Sequence, residues 1–445
     1  MESRKKKGGR VGFIKGAVWI AAGGFIAKII GAVYRIPLTN LIGGRGLGLY
    51  QMVYPAYCLL LTVSATGIPS SIAKLTAERI GKNESTRPLF LRAMKLFVLI
   101  GLVGSVLLAL LAPLLSAAQG SKEVVGGYYA LAPAVVLVSA ISVFRGWFQG
   151  RNEMSPTALS EILEQIVKVG FGLLFAYIFR TNVEKAVVFL LLAVSLSEAA
   201  ALVFMLCLYR RKKPKKEENS GGRVALKAIL KMSIPVTLSS LLFPMSNLLD
   251  SVLVPRLLGV YTGNAVTLYG LFSGGAVTMI SLPVSVCYGI AAASIPSVAG
   301  APPIERRKKI FFALGITAAV GAVSAAGLYF FASPAVRIIF RSLSGEESEI
   351  LTRLVKSYAV SAFTLSCVQT LSACLTAQGK PQYASLSMFL AITVKTAVYV
   401  WLLQNPQISV FGLAYATNLC YLVAFFLNLL YNFSVSRKSL KGASK

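Results

Sequence analysis

The chain contains no histidine and a single aspartate, Asp250, in 445 residues. Without histidine there is no imidazole general base, no histidine-ligated metal and no Ser-His-Asp triad. One aspartate leaves no Asp-rich metal site either. Charged residues make up only 14% of the chain, against ~25% in a typical soluble protein. No polar stretch is long enough for a separate soluble domain. Cysteine is also scarce. Cys58, Cys207, Cys287, Cys367, Cys374 and Cys420 form no CxxC pair. Most fall inside apolar runs, where they read as small buried hydrophobes. These absences exclude most covalent catalysis, so we expect no enzyme, no metal site and no prosthetic cofactor.

What the chain has is apolar length. Hydrophobic residues are 56% of it and mean hydropathy is +0.71. Crossing a bilayer takes about 20 mostly apolar residues, and windows of 18 or more with few charges qualify. Such windows lie near 11–36, 47–68, 89–117, 124–150, 156–180, 185–209, 228–256, 266–296, 309–333, 351–377, 383–404 and 409–433. The expected fold is an all-α polytopic membrane protein of about twelve transmembrane helices. The basic N-terminus MESRKKKGGR followed by an apolar run resembles a signal peptide. That run continues to Val33 and carries Lys28, too long for an h-region, and is taken as the first span.

Lys and Arg total 45 against 16 acids, a net charge of +29. In a soluble protein that excess would suggest nucleic acid. Here it gathers in alternate connections, at 4–15, 74–95, 145–151, 210–231, 306–309, Lys380 and 437–445. The positive-inside rule places those connections and both termini in the cytoplasm. Attraction to anionic lipid accounts for the charge without nucleic acid.

The longest polar break, RRKKPKKEENSGGR (210–223), divides the chain into lobes 1–209 and 225–445 joined by a cytoplasmic linker, 210–224. Internal similarity supports two halves. ATGIPSSIA (65–73) matches AASIPSVAG (292–300). Gln149-Gly150-Arg151 precedes a helix with Val167-Lys168, and Gln378-Gly379-Lys380 precedes one with Val394-Lys395. Each match pairs a span with the sixth one after it. Two pseudo-symmetric six-helix lobes in parallel repeat are a transporter architecture.

A charge inside a span costs at least ~2.5–3.5 kcal/mol, so it faces a cavity or a partner. Lys28 shares a helix face with Gly24, Gly31 and Arg35. It binds phosphate there or pairs with a carboxylate of a neighbouring helix. Arg35 is near the outer interface, where snorkelling explains it equally well. Glu161, Glu164 and Lys168 share one face of the fifth span. Glu164 and Lys168 are four apart in the order that favours pairing, which makes them a structural pair or part of a site. Lys395, at the middle of the eleventh span, has no acid near it in sequence and is a cavity candidate. Asp250 and Glu198 are candidates for a coupling cation or proton, or for neutralising Lys28 or Lys395 across the bundle. GGRGLG (43–48) lacks the preceding strand and the Lys-Ser/Thr of a phosphate-binding loop, and is expected to be a tight connection between spans. SGEESE (344–349) is expected to be a solvated loop.

Three stretches, AKIIGAVYRIPLTNLIGGRGLGLYQMVYPAY (27–57), GIPSSIAKLTAE (67–78) and RGWFQGRNEMSPTALSEILEQIVKV (145–169), resemble the stage V sporulation protein B branch of the MOP flippase superfamily. That branch includes MurJ-type lipid II flippases of the Gram-positive kind. The resemblance runs over essentially the whole chain. It implies two MATE/MOP-like lobes around a cavity that opens alternately to each face of the bacterial cytoplasmic membrane. The implied substrate is an undecaprenyl-diphosphate-linked sugar, lipid II or a related polysaccharide precursor, for cell-wall or spore synthesis. The implied partners are that lipid-linked oligosaccharide and membrane lipids, with a coupling cation or the membrane potential as driving force. A monomer is compatible with this. Lys28 and Arg35 stand where such proteins place basic cavity residues in span 1, and Lys168, Lys395 and Glu164 complete the substrate-binding candidates. The chain departs from the pattern at LYGLFSGG (268–275), which lacks the Arg that relatives carry early in span 8; Lys395 is a candidate substitute. Many relatives run to fourteen spans. A MATE-type drug exporter is the alternative, but it would hold cations with carboxylates, and span 1 offers Lys and Arg. A polytopic glycosyltransferase would need long outer loops and a carboxylate or histidine base.

Overall fold

The computed structural model describes residues 2–212 and 240–443, with 229, 233, 234, 237 and 238 between them. Side chains are described from Ile26 to Arg437 within those bounds, apart from Lys28, Ile29, Ala32 and Pro303. Most of the linker expected at 210–224 is outside the described residues. All regular elements among the described residues are helices. They are α1 (Glu2–Ala65), α2 (Ile68–Gly81), α3 (Arg87–Gln119), α4 (Val125–Gly150), α5 (Ser155–Ile178), α6 (Val183–Lys212) and α7 (Leu242–Leu258). The second half continues with α8 (Ala265–Ala299), α9 (Pro303–Phe330), α10 (Ala332–Ile339), α11 (Gly345–Tyr358), α12 (Val360–Ala377), α13 (Pro381–Leu402) and α14 (Phe411–Ala443). Among the described residues, 9 helical stretches are long and apolar enough to cross a membrane. The expected count of twelve is not reached by that measure. Helix α5 is long enough, but Glu161, Glu164 and Lys168 interrupt its apolar run.

The chain forms two compact units, residues 1–42 with 52–248, and residues 43–51 with 249–445. In the first, α4 packs on α2, α3 and α6, and α5 packs on α6. In the second, α12 packs on α8, α9 and α14, and α13 packs on α14. The same pairing scheme recurs with α8, α9, α12, α13 and α14 standing for α2, α3, α4, α5 and α6. The repeat seen in the sequence is thus a repeat of packing.

In the first unit Gly146 and Gly150, one turn apart on α4, meet the backbone of α2. A Cβ on Gly146 would come 2.8 Å from Pro69 O, and one on Gly150 2.6 Å from Ala73 O. Small residues at this spacing let helices approach closely where lipid supplies no hydrophobic drive. Buried Trp147 lies between them, donating from Nε1 to Thr86 Oγ1 at 3.2 Å and packing edge-on to Phe90, Phe148 and Tyr209. Gly146→Leu is expected to lower stability by about 1–3 kcal/mol through overpacking. Gly170→Ala, on α5 with nothing within 4 Å of the added Cβ, is expected to raise it by up to ~1 kcal/mol through helix propensity. Melting of the purified variants in detergent distinguishes these opposite signs.

The second unit bears out one expectation and revises another. GGRGLG does hold the tight connection, because two helices joined in α1 meet there at a kink. Helix α1 breaks at Gly43 alone (φ 66, ψ −175) and resumes at once. Gly44 and Gly48 then pack on Gly270 of α8, and Leu47 packs on Gly274. A Cβ on Gly48 would lie 2.0 Å from Val266 O, and one on Gly270 2.4 Å from Gly44 O. Turn-forming composition in water is close-packing composition in a bilayer. Opposite this crossing α8 contains a π turn, Leu271–Ala276, and Gln51 Nε2 donates to Ser273 O within it at 3.1 Å. SGEESE, by contrast, is not a loop. Ser344 and Glu347 form a reciprocal capping box, and Gly345 opens α11.

Candidate functional site

Helix α5 begins at Ser155 with Pro156 in its first turn and no side-chain cap bond. The proline presets helical φ where no intrahelical N–H is needed. Ser160, Glu164 and Lys168 then recur at four-residue spacing and share one face. Glu164 does not turn to Lys168. Its Oε2 accepts from Arg145 Nη2 at 3.3 Å and its Oε1 from Gln165 Nε2 at 3.3 Å. Arg145 on α4 also donates from Nε to Ser160 Oγ at 3.0 Å. Both partners of this ion pair are largely buried, at 14% and 18% side-chain exposure. Arg145 was missed in the sequence because it falls in a segment counted there among the basic connections; its partner is 19 residues away on another helix.

With Glu164 occupied, half-buried Lys168 forms no hydrogen bond or ion pair among the described residues. It stays within electrostatic reach of Glu164, Glu198 and Arg35. Two like cations thus stand near each other, Lys168 on α5 and half-buried Arg35 on α1. Gly31, one turn before Arg35, faces α5: a Cβ there would lie 3.3 Å from Gln165 Oε1. Lys28 is on the same stretch of α1, but its side chain lies outside the described residues. Glu198 is 3% exposed on α6. Tyr57 Oη donates to its Oε1 at 3.3 Å, and its Oε2 has no hydrogen-bond partner among the described residues.

The second unit resolves its buried charges differently. Lys395 on α13 and Asp250 on α7 form an ion pair at 7% and 10% side-chain exposure. Tyr399, one turn beyond Lys395 and fully buried, lies beside the same carboxylate. Asp250 therefore neutralises Lys395, one of the two roles open to it in sequence. Among the described residues there is no group of His, Cys, Asp and Glu suited to a metal. The six cysteines are free thiols.

One unit thus carries two neighbouring cations, Lys168 and Arg35, on its helices, and the other a closed ion pair, on a repeated helical scaffold. That scaffold is the fold of MOP-superfamily membrane transporters. It superposes on an inward-facing multidrug-resistance MATE transporter with TM-score 0.77 at 16% identity, covering 93% of this chain and 96% of that one. It superposes on the inward closed form of the lipid II flippase MurJ with TM-score 0.71 at 14% identity, covering 95% and 91%. The chain belongs to the polysaccharide biosynthesis protein family, which it matches over residues 13–301. Similar curated proteins come from Bacillus subtilis (strain 168). Stage V sporulation protein B is 25% identical over 421 residues, covering 91% of this chain and 80% of that protein. Lipid II flippase MurJ is 23% identical over 461 residues, covering 96% and 82%.

Proposed function

We propose that this chain is a flippase that carries an undecaprenyl-diphosphate-linked sugar, lipid II or a related polysaccharide precursor, across the bacterial cytoplasmic membrane. Family membership and the names of its relatives support the substrate class. The observation that carries the site is Lys168. A half-buried ammonium without a counter-ion is expensive within a bilayer, and the diphosphate of such a substrate supplies the missing anion. Arg35 and Lys28 on α1 extend the cationic wall towards the first span. Glu164 is bound to Arg145 and positions the α5 face. Glu198 is the candidate for carrying a coupling proton or cation, and Asp250 with Lys395 holds the second unit together. In chain order the lobes run over 1–209 and 225–445, with residues 43–51 packed into the second compact unit and those up to 248 into the first; both termini are cytoplasmic, and no step makes or breaks a covalent bond. Binding, reorientation and release suffice, which fits a chain without catalytic motifs.

The test is rescue of cells depleted of their own lipid II flippase, scored by labelled lipid II reaching the outer leaflet. Wild type should restore it. Lys168→Gln, expressed and inserted normally, should need about tenfold to hundredfold more protein or substrate, since one hydrogen bond to a charged group is worth ~1.5–3 kcal/mol. Lys168→Arg should keep most of the activity. Restoration by wild type and Lys168→Gln alike would remove Lys168 from the site. Failure of correctly inserted wild type would remove lipid II as substrate.

A further inference from the structure

Between α9 and α11 the chain makes an elbow that carries Arg337 and Arg341, and Arg353 and Lys356 follow on α11. By the alternation of basic segments this elbow faces outward, where Lys and Arg are disfavoured by topology. Their clustering therefore calls for a local reason. Helix α10 rests on the unit through fully buried Ala332 and Val336, and leaves Ile338 63% exposed. The residues leading into it, Tyr329, Phe330 and Phe331, are exposed in turn, the two phenylalanines at 73% and 67%. Aromatic side chains at the end of a span mark the membrane interface, and a short amphipathic helix after them lies in its plane.

Arg337, in the last turn of α10, and Arg341, just past its end, line a groove of about 490 Å³ with Ser333, Thr352 and Glu349. The acid is spoken for, because Glu349 pairs with Arg353 on its own helix. No carboxylate pairs with Arg337 or Arg341 among the described residues. Arg341 uses Nε on Ile338 O at 3.2 Å, which leaves its terminal nitrogens free. The first turn of α11 contributes little, since its capping box already serves it. The draw is the two guanidinium groups, which suit a phosphate bidentately.

We propose that this groove binds the phosphate of an anionic phospholipid of the outer leaflet. A lipid is favoured over free phosphate because exposed Phe330 and Phe331, just before α10, and Ile338 on it offer acyl chains apolar surface on the same elbow. The site is independent of the transported substrate, and depends only on which way the elbow faces.

The experiment uses the full-length protein, purified, stripped of lipid and titrated by native mass spectrometry with phosphatidylglycerol or phosphatidylcholine. Wild type is expected to retain one phosphatidylglycerol at least about tenfold more tightly than phosphatidylcholine. Arg337→Gln with Arg341→Gln should weaken phosphatidylglycerol by about thirtyfold, from the contribution of two basic residues near an anionic surface, and leave phosphatidylcholine unchanged. Arg210→Gln with Arg211→Gln, which removes two cations from the end of α6, should change neither. An equal loss in that control pair would show that only net charge matters and overturn the site. Displacement of the lipid by millimolar inorganic phosphate would overturn the lipid as occupant. Should the glutamine pair fail to fold, a photoactivatable phosphatidylglycerol on wild type decides: labelling must fall within residues 329–352, and labelling elsewhere alone refutes the proposal.

Discussion

Lys395→Met is expected to destabilise the second unit by about 3–5 kcal/mol, because it leaves Asp250 as an uncompensated buried charge. Asp250→Leu should cost a similar amount by stranding Lys395. Both partners are nearly excluded from solvent, so neither residue can shed its penalty to water. The double variant, Lys395→Met with Asp250→Leu, should recover most of the loss, since replacing a whole buried pair with apolar residues of similar volume is often neutral or better. Melting temperatures of the four proteins in detergent close the cycle. The same set in the lipid II assay separates two roles. If the pair only neutralises charge, the double variant folds and still flips. If Asp250 carries a coupling cation or proton, the double variant folds and does not flip. A double variant as unstable as either single change would mean that the site must be polar for the unit to pack.

The two units show why some of this was legible in sequence and some was not. Span positions follow from composition, and nearly every apolar window coincides with a helix. The repeat was visible at ATGIPSSIA and AASIPSVAG, and at the Gln-Gly-basic exits of α4 and α12, because helix ends require particular residues. At those exits Asn152 and Gly379 take positive φ, 59 and 72. Ion pairing was not visible. Lys395 and Asp250 are 145 residues apart, so Lys395 reads as a cavity candidate, while Lys168, with Glu164 one turn away, reads as half of a pair or as part of a site. In the structure Asp250 pairs with Lys395, and Arg145 of α4 takes Glu164. Local spacing fixes which side chains share a face, but a long-range contact decides which of them is neutralised.

The glycine segment was legible as a connection but not as a packing surface, and that surface leads to the other large effect. Gly48→Val is expected to abolish folding of the second unit, seen as loss of monodisperse protein on solubilisation. In a free helix the change would be mildly favourable, since Gly is ~0.5–1 kcal/mol worse than most other helix residues. Here the new Cβ would stand 2.0 Å from Val266 O, with Val266 C at 2.8 Å. The obstacle is backbone, so no rotamer relieves it and α1 must lift off α8. That separation would withdraw Gln51 from Ser273 O in the π turn and open the contact of Leu47 with Gly274. Overpacking ordinarily costs about 1–3 kcal/mol, and losing the crossing adds to it. Gly43→Ala supplies the contrast. Nothing lies within 4 Å of a Cβ at Gly43, and the penalty is its backbone conformation, φ 66 with ψ −175, a region nearly confined to glycine that costs about 1–3 kcal/mol for a residue with a side chain. Gly43→Ala should therefore fold with a lowered melting temperature, and Gly48→Val should not fold. Equal behaviour of the two would mean that the Gly43 bend, and not the Gly44–Gly48 contact surface, fixes α1 on α8.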